Sequence, residues 1–291
     1  MAASTRDSVQ ADRWDAPLVE ERASASVSKP RTALVTGASS GIGRATAELL
    51  AGKGYRVIGT SRDASGVTDP LPGVEYRSLD LGSLGSIEAL GESLPPIDVL
   101  VNNAGESQNG PIEELPWDAL QRLFDCNVLG QVRLTQLVLP GMRSRGYGRV
   151  VMVGSMLASF PLAFRSSYVA SKAAIKGFAD AARLEARPYG VEFTTVEPGS
   201  INTGISERRT KYIAEDSPYR KRFETMVSAL DANERKGIPA EKVAATIVAA
   251  IEAERPKRLY AVGSNALLVF ALRRLAPREL VERIVARKHG L

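Results

Sequence analysis

From Arg31 onward, short strand-like runs alternate with longer stretches in which apolar residues recur every three to four positions. The runs Thr32–Val35, Arg56–Thr60, Val74–Ser78, Val99–Val101, Arg149–Val153 and Val191–Val196 read as strands. The stretches Gly43–Lys53, Ser86–Ser93, Trp117–Arg145 and Ser166–Arg187 read as helices between them. Regular strand–helix alternation predicts a parallel sheet covered on both faces, with right-handed crossovers. No internal repeat at a period of roughly 20–50 residues interrupts it.

The pattern weakens at both ends. Residues 1 to 30 carry Ala, Ser, Asp, Glu and Arg with no sustained period, which predicts a mobile tail around the lone Trp14. Residues 204–235 are polar and charged, with Arg208, Arg209, Lys211, Arg220, Lys221 and Arg222. They read as a mobile helical insert beside a site, or more plainly as a solvated helix face. An amphipathic helix over Pro239–Glu254 and a short strand over Arg258–Val262 close the domain, which spans 31–263. Residues 264–291 form a basic amphipathic extension, in which the apolar stretch Ala266–Leu272 is followed by Arg273, Arg274, Arg278, Arg283, Arg287 and Lys288.

Composition narrows the chemistry more than the fold. The 291 residues suffice for one large α/β domain, and 44% apolar with 24% charged content is ordinary for a globular protein. A net charge of +5 is too small to argue for nucleic acid. One cysteine, Cys126, excludes an internal disulfide framework and fits a reducing, cytoplasmic compartment. The single histidine, His289, sits near the end, which argues against a histidine triad and a histidine-ligated metal. No apolar run approaches the ~18–20 residues of a membrane span, and no basic start precedes an apolar leader.

Two segments carry chemistry. Thr36-Gly37-Ala38-Ser39-Ser40-Gly41-Ile42-Gly43 follows the apolar run Ala33-Leu34-Val35 and precedes a helix. A tight turn at Gly37, close backbone approach at Gly41 and close helix–strand packing at Gly43 make a phosphate cradle at a helix N-terminus. In Tyr168-Val169-Ala170-Ser171-Lys172 a phenol and an ammonium stand four residues apart, on one helix face. A tyrosine has an ordinary pKa of about 10, and a nearby ammonium favours its phenolate. The pair therefore reads as a proton donor and its adjuster.

With both segments in hand, the chain resembles the short-chain dehydrogenase/reductase family, in particular its hydroxysteroid and retinol dehydrogenase branch. The likeness covers residues 31 to 263 and rests on several motifs in order: the glycine run, Leu79-Asp80-Leu81, Asn102-Asn103-Ala104-Gly105, Asn127, Ser155, Tyr168, Lys172 and Pro198-Gly199. It implies a single Rossmann-like, doubly wound parallel sheet with helices on both faces and a C-terminal helical extension. It implies a catalytic set of Asn127, Ser155, Tyr168 and Lys172. Ser155, thirteen residues before the tyrosine, would hold the substrate oxygen. Lys172 would bind the nicotinamide ribose, and Asn127 would position a water. Cofactor contacts would come from Gly37, Ser39, Ser40, Gly41, Ile42, Gly43, Ser61 and Arg62. Asp80 and Leu81 on the adenine side, Asn103, Ala104 and Gly105, Tyr168 and Lys172 themselves, and Pro198, Gly199, Ile201 and Thr203 beside the nicotinamide complete that set.

Cofactor choice turns on Ser61-Arg62 at the end of the second strand. An acidic residue there would repel a 2′-phosphate, whereas a guanidinium can grip one, which favours NADP(H). Ser40 departs from the relatives that carry a base at its position. Met156, Leu157, Phe160, Pro161, Leu162 and Phe164 follow Ser155 as an expected apolar pocket wall. The expected substrate is a small lipophilic ketone or secondary alcohol. A carrier-protein-bound ketoacyl reductase and a non-catalytic NADP(H)-sensing protein remain as alternatives. The resemblance further implies a homodimer through Trp117–Arg145 and Ser166–Arg187. The tail is expected to pack on the protein rather than on a membrane.

Overall fold

The computed structural model describes residues 30–204 and 208–291; the expected tail over the first 29 residues and Trp14 lie outside the described residues. The first half runs β1 (Thr32–Val35), α1 (Gly41–Gly52), β2 (Arg56–Ser61), β3 (Val74–Ser78), α2 (Leu84–Ser93) and β4 (Val99–Asn102). A two-residue β5 (Gln108–Asn109), α3 (Trp117–Phe124), α4 (Gly130–Ser144), β6 (Gly148–Val153) and α5 (Ser166–Ala186) follow. The second half continues with β7 (Val191–Pro198), β8 (Ile201–Asn202), β9 (Thr210–Lys211), α6 (Arg220–Arg235) and β10 (Ile238–Pro239). It ends with α7 (Ala240–Glu252), β11 (Leu259–Val262), α8 (Ala266–Leu275) and α9 (Arg278–Lys288).

Seven strands form one parallel sheet in the order β11-β7-β6-β4-β1-β2-β3. Each strand's side chains alternate between two faces, and both faces are apolar because both are covered. Ala33, Val35, Val99, Val101, Val151 and Val153 point to the face packed by α1 and α7, where Val243, Ile247 and Ile251 recur at helical spacing. Leu34, Leu100, Val150, Met152 and Phe193 point to the other, against Leu134 of α4 and Ile175 and Ala179 of α5. Each such fully buried aliphatic side chain contributes about 1.5–3 kcal/mol.

Strand order reverses between β1 and β4. The chain winds outward from β1 through β2 to β3, then returns and winds the other way. A crevice therefore opens above the carboxyl ends of β1 and β4, the place where open α/β sheets take ligands. The glycine run follows β1, Asn103-Ala104-Gly105 follows β4, Ser155 follows β6, and Gly199 follows β7.

The insert and the tail are packed elements. α6 buries Phe223, Met226, Val227 and Leu230 against Leu162, so it is not solvated all round. α8 and α9 place Val269, Phe270, Val281 and Val285 against Met156 and Phe160. Phe270 meets Phe160 edge-on at 5.2 Å. No helix among the described residues is long and apolar enough to cross a membrane.

Candidate active site

The cradle is built from backbone. Gly37 has φ of 67°, in the left-handed region that favours glycine, and a Cβ on Gly43 would lie 2.2 Å from the Gly37 carbonyl oxygen. These two residues let α1 start hard against the end of β1. Ser40 stands before the first turn of α1 and makes no side-chain cap. The first N–H groups of α1 are thus left without a side-chain acceptor and face the crevice, where they suit a phosphate. Thr203, across the crevice, would lie 3.4 Å from a Cβ on Gly41.

The segment after β4 braces that cradle. The Thr36 hydroxyl accepts the N–H groups of Asn103 and Ala104 at 2.9 and 3.0 Å. The Asn103 amide donates to the Thr36 carbonyl at 2.9 Å. Asn103 and Ala104 thus hold the glycine run in place. Thr36 plays this part without having been singled out, although a hydroxyl at the end of a buried strand was a usable signal.

Asn127, Ser155, Tyr168 and Lys172 are all buried. The expected helix Trp117–Arg145 is interrupted by a π-helical turn over Asp125–Leu129, and Asn127 stands in it. Such turns mark functional sites because the extra residue re-aims the side chains around it. The Asn127 amide oxygen accepts from the Glu106 N–H at 2.7 Å. Its nitrogen donates to the Glu106 carbonyl at 3.0 Å and to the Ser171 hydroxyl at 3.2 Å. Lys172 donates to the Val153 carbonyl at 3.0 Å, and its Nζ lies 5.9 Å from the Tyr168 ring centroid. The Ser155 hydroxyl accepts the Leu157 N–H at 3.2 Å and so starts a short 3-10 turn over Met156–Ala158. Behind it, the buried Glu197 carboxylate takes Lys176 at 2.7 Å and the Ser159 hydroxyl at 3.0 Å, tying this turn to α5 and β7. Burial pushes the neighbouring Cys126 thiol up to about 11, so it stays protonated at neutral pH.

The remaining expected contacts divide. Leu81 is buried in the core, while Asp80 is exposed and accepts the Gly82 N–H at 2.9 Å. Pro198 is buried; Gly199, Ile201 and Thr203 are half-buried along the rim. Arg62 is exposed just beyond β2. A polar cleft of about 240 Å³ beside Ser39 and Ser61 is lined by Arg44, which pairs with Asp69 at 2.6 Å. Arg44, one position past the third glycine, was not anticipated; its signal was a cation on the first turn of the helix that follows the glycine run.

The six residues after Ser155 do not make one wall. Met156 and Phe160 are consumed in docking the tail, and Leu162 packs on α6. Leu157, Phe164 and Ile213 stay half-buried against the apolar face of α6. A separate apolar cavity of about 540 Å³ lies between the start of α5 and α9, lined by Pro161, Leu162, Val169, Val285 and Leu291. Tyr168 does not line it.

Two arginines are also found inside, and only Arg209 stood in a segment expected to be polar. The Arg209 side chain is fully buried, paired with Asp231 at 2.8 Å and with Glu234. Arg165, at the start of α5, is buried and stacks on Tyr168. Nothing in their spacing separates them from ordinary surface arginines.

The sequence pattern of the family described as short chain dehydrogenase matches residues 31–213. The chain belongs to the short-chain dehydrogenase family, and it is a dehydrogenase/reductase enzyme. It is 33% identical over 280 residues to the uncharacterized oxidoreductase YusZ of Bacillus subtilis, covering 89% of this chain and 98% of that one. It is 31% identical over 272 residues to the NADPH-dependent 3-dehydrocapnine reductase of Ornithobacterium rhinotracheale, covering 87% and 95%. The crystal structure of a short-chain dehydrogenase from Streptomyces avermitilis superposes with a TM-score of 0.76 at 32% identity, over 89% of this chain and 99% of that one.

Proposed function

We propose that the enzyme is an NADP(H)-dependent reductase of lipophilic ketones, run in reverse on secondary alcohols, with Tyr168 as general acid and base. The observation that carries this reading is the convergence of Tyr168, Lys172, Asn127 and Ser155 beside an uncapped helix N-terminus at the crevice. NADPH, when bound, supplies a hydride to the carbonyl carbon. Ser155 holds the carbonyl oxygen, and Tyr168 gives that oxygen its proton, so that ketone becomes alcohol. Lys172 offers its ammonium to the ribose and to the phenolate left behind. Asn127, fastened to Glu106 and Ser171, holds the lysine's route to solvent. Half-buried Leu157, Phe164 and Ile213 favour an apolar substrate body. The test is a scan of NADPH and NADH oxidation against ketones of graded chain length. Turnover with NADPH that improves with apolar length supports the reading, and inertness toward the whole panel overturns it.

The 2′-phosphate preference is assigned to Arg62, with Arg44 lining the cleft beside Ser39 and Ser61. Removing a charge-assisted phosphate contact costs ~1.5–3 kcal/mol. Arg62→Ala is expected to weaken NADPH about ten- to a hundredfold in a fluorescence titration and to leave NADH nearly unchanged. Ser61→Asp should move preference toward NADH. A parent protein that already prefers NADH would show this assignment to be wrong.

Assembly as a homodimer is supported by the outer row of α5. Ala170, Ala173, Gly177, Ala181 and Leu184 follow helical spacing, and all are exposed together with Phe178. A stripe of small and apolar residues on an exposed helix suits close pairing with a second copy. Light scattering is expected to give twice the monomer mass, with Leu184→Glu shifting it toward one. A monomer in the parent protein would contradict the assignment.

A further inference from the structure

Around Tyr168 lies a buried polar cluster that the proposed chemistry does not use. Arg165 is 3% exposed. Its guanidinium donates to the Ser107 hydroxyl at 2.9 Å, the Asn109 side-chain oxygen at 2.5 Å and the Gln108 carbonyl at 3.4 Å. Its Cζ stands 4.1 Å from the centroid of the Tyr168 ring. It is thus the nearer of two cations to that ring, since the Lys172 Nζ lies 5.9 Å away. Among the described residues Arg165 forms no ion pair. The nearby carboxylates, Asp231 and Glu234 of α6, are taken by Arg209. Arg209 also donates to the Ser107 hydroxyl, at 3.4 Å, so one hydroxyl accepts from both arginines. An unbroken chain of polar contacts runs from α6 through Arg209 and Ser107 to Arg165, and from there to the face of Tyr168.

Two further observations set Arg165 apart from a packing residue. Burying a guanidinium without a carboxylate is costly, and an apolar side chain of similar length would fill the space more cheaply. Burial lowers Arg165 to about 10 while the Tyr168 phenol raises it, so the cation persists at neutral pH. Its neighbour Phe164 has φ of 63°, a strained conformation for an aromatic residue. The Phe164 ring meets Phe223 at 5.7 Å and Tyr219 at 6.1 Å, both edge-on, and its carbonyl accepts the Gly110 N–H at 3.0 Å. The strained backbone and the buried cation sit side by side, between α6 and Tyr168. Strain of this kind persists only where the surroundings impose it.

We propose that Arg165 is a positioning residue for Tyr168, clamping its ring and making the phenol's placement depend on the docking of β5, β9 and α6. The clamp places the phenol for proton transfer only when the substrate-side elements are in place. This rests on the reading of Tyr168 as the proton donor. A planar guanidinium over an aromatic face restrains the ring more closely than apolar contact does.

The test is a double-mutant cycle on the full-length enzyme, with NADPH and the best ketone from the panel. The variants are Arg165→Met, Arg165→Lys, Tyr168→Phe and the pair Arg165→Met/Tyr168→Phe. A misplacement of about 1 Å costs on the order of a hundredfold in rate. Arg165→Met is expected to lower kcat by about ten- to a hundredfold and to change the NADPH dissociation constant by less than about twofold. Arg165→Lys, which keeps the cation but not the fork, should recover part of that loss. In the Tyr168→Phe background, Arg165→Met should add less than about a twofold loss, because its effect passes through the phenol. An equal further loss in that background would overturn the proposal in favour of a merely structural role. A normal kcat in Arg165→Met, with Tyr168→Phe inactive, would overturn the clamp alone. An active Tyr168→Phe enzyme would overturn the proton-donor reading and the clamp with it. Should Arg165→Met fail to fold, Asn109→Ala, which removes the acceptor 2.5 Å from the guanidinium, enters the same cycle with the same expectations.

Discussion

Tyr168→Phe is expected to lower turnover by at least about a hundredfold while leaving NADPH affinity within about twofold. The phenylalanine keeps the ring, which packs in a buried site under Arg165, and removes only the transferable proton. General acid catalysis contributes roughly 10²–10⁴ in rate, so its loss should appear in kcat. Cofactor affinity should hold because the cradle is made elsewhere, from the glycine run braced by Thr36 and Asn103. The measurement is steady-state NADPH oxidation beside a fluorescence titration of NADPH. Near-normal turnover would remove Tyr168 from the mechanism.

Lys172→Ala is expected to lose both affinity and rate, each by more than about tenfold. On the proposed mechanism one ammonium serves two tasks, and it is held by the Val153 carbonyl at 3.0 Å. Removing it takes away the charge near the Tyr168 ring and the donor offered to the ribose. It also leaves a buried carbonyl without that donor, at a cost of about 1–3 kcal/mol. Comparing Lys172→Ala with Lys172→Arg separates the two tasks. An arginine keeps the charge but spreads it over a planar fork and does not place a compact ammonium at the same spot. Rate should therefore stay low in both variants. A Lys172→Ala enzyme that loses rate but binds NADPH normally would contradict the dual role.

The features that could be read from the sequence are those encoded locally. Six of the seven sheet strands stood out early as short strand-like runs between helical stretches, and β11 because it closes the pattern after α7. The glycine run and the Tyr168–Lys172 spacing were equally plain, since turn geometry and helix periodicity fix what such residues can do. The π-helical turn at Asn127 left no mark, because a one-residue slip in helix phase has no residue type of its own. The buried Arg165 and Arg209 were hidden for a different reason. An arginine reads as surface until its partners arrive, and Ser107, Asp231 and Glu234 come from segments far apart in the chain. The apolar residues after Ser155 misled in part, in a third way. Their composition announced a pocket wall, but hydrophobicity does not say what it will touch. Met156 and Phe160 serve the tail, whose own apolar residues needed cover. Arg44 went unmarked because its partner, Asp69, lies in a loop with no periodic signal.

The most direct test of the central claim follows the hydride itself. The intact enzyme is given NADPH deuterated at the transferable position of the nicotinamide, together with a lipophilic ketone, and the product is read by mass spectrometry. The account predicts an alcohol carrying one deuterium on the carbinol carbon, formed by the parent enzyme and at no more than about one hundredth of that rate by Tyr168→Phe. Alcohol formed without the label, or formed equally fast by both proteins, would contradict it.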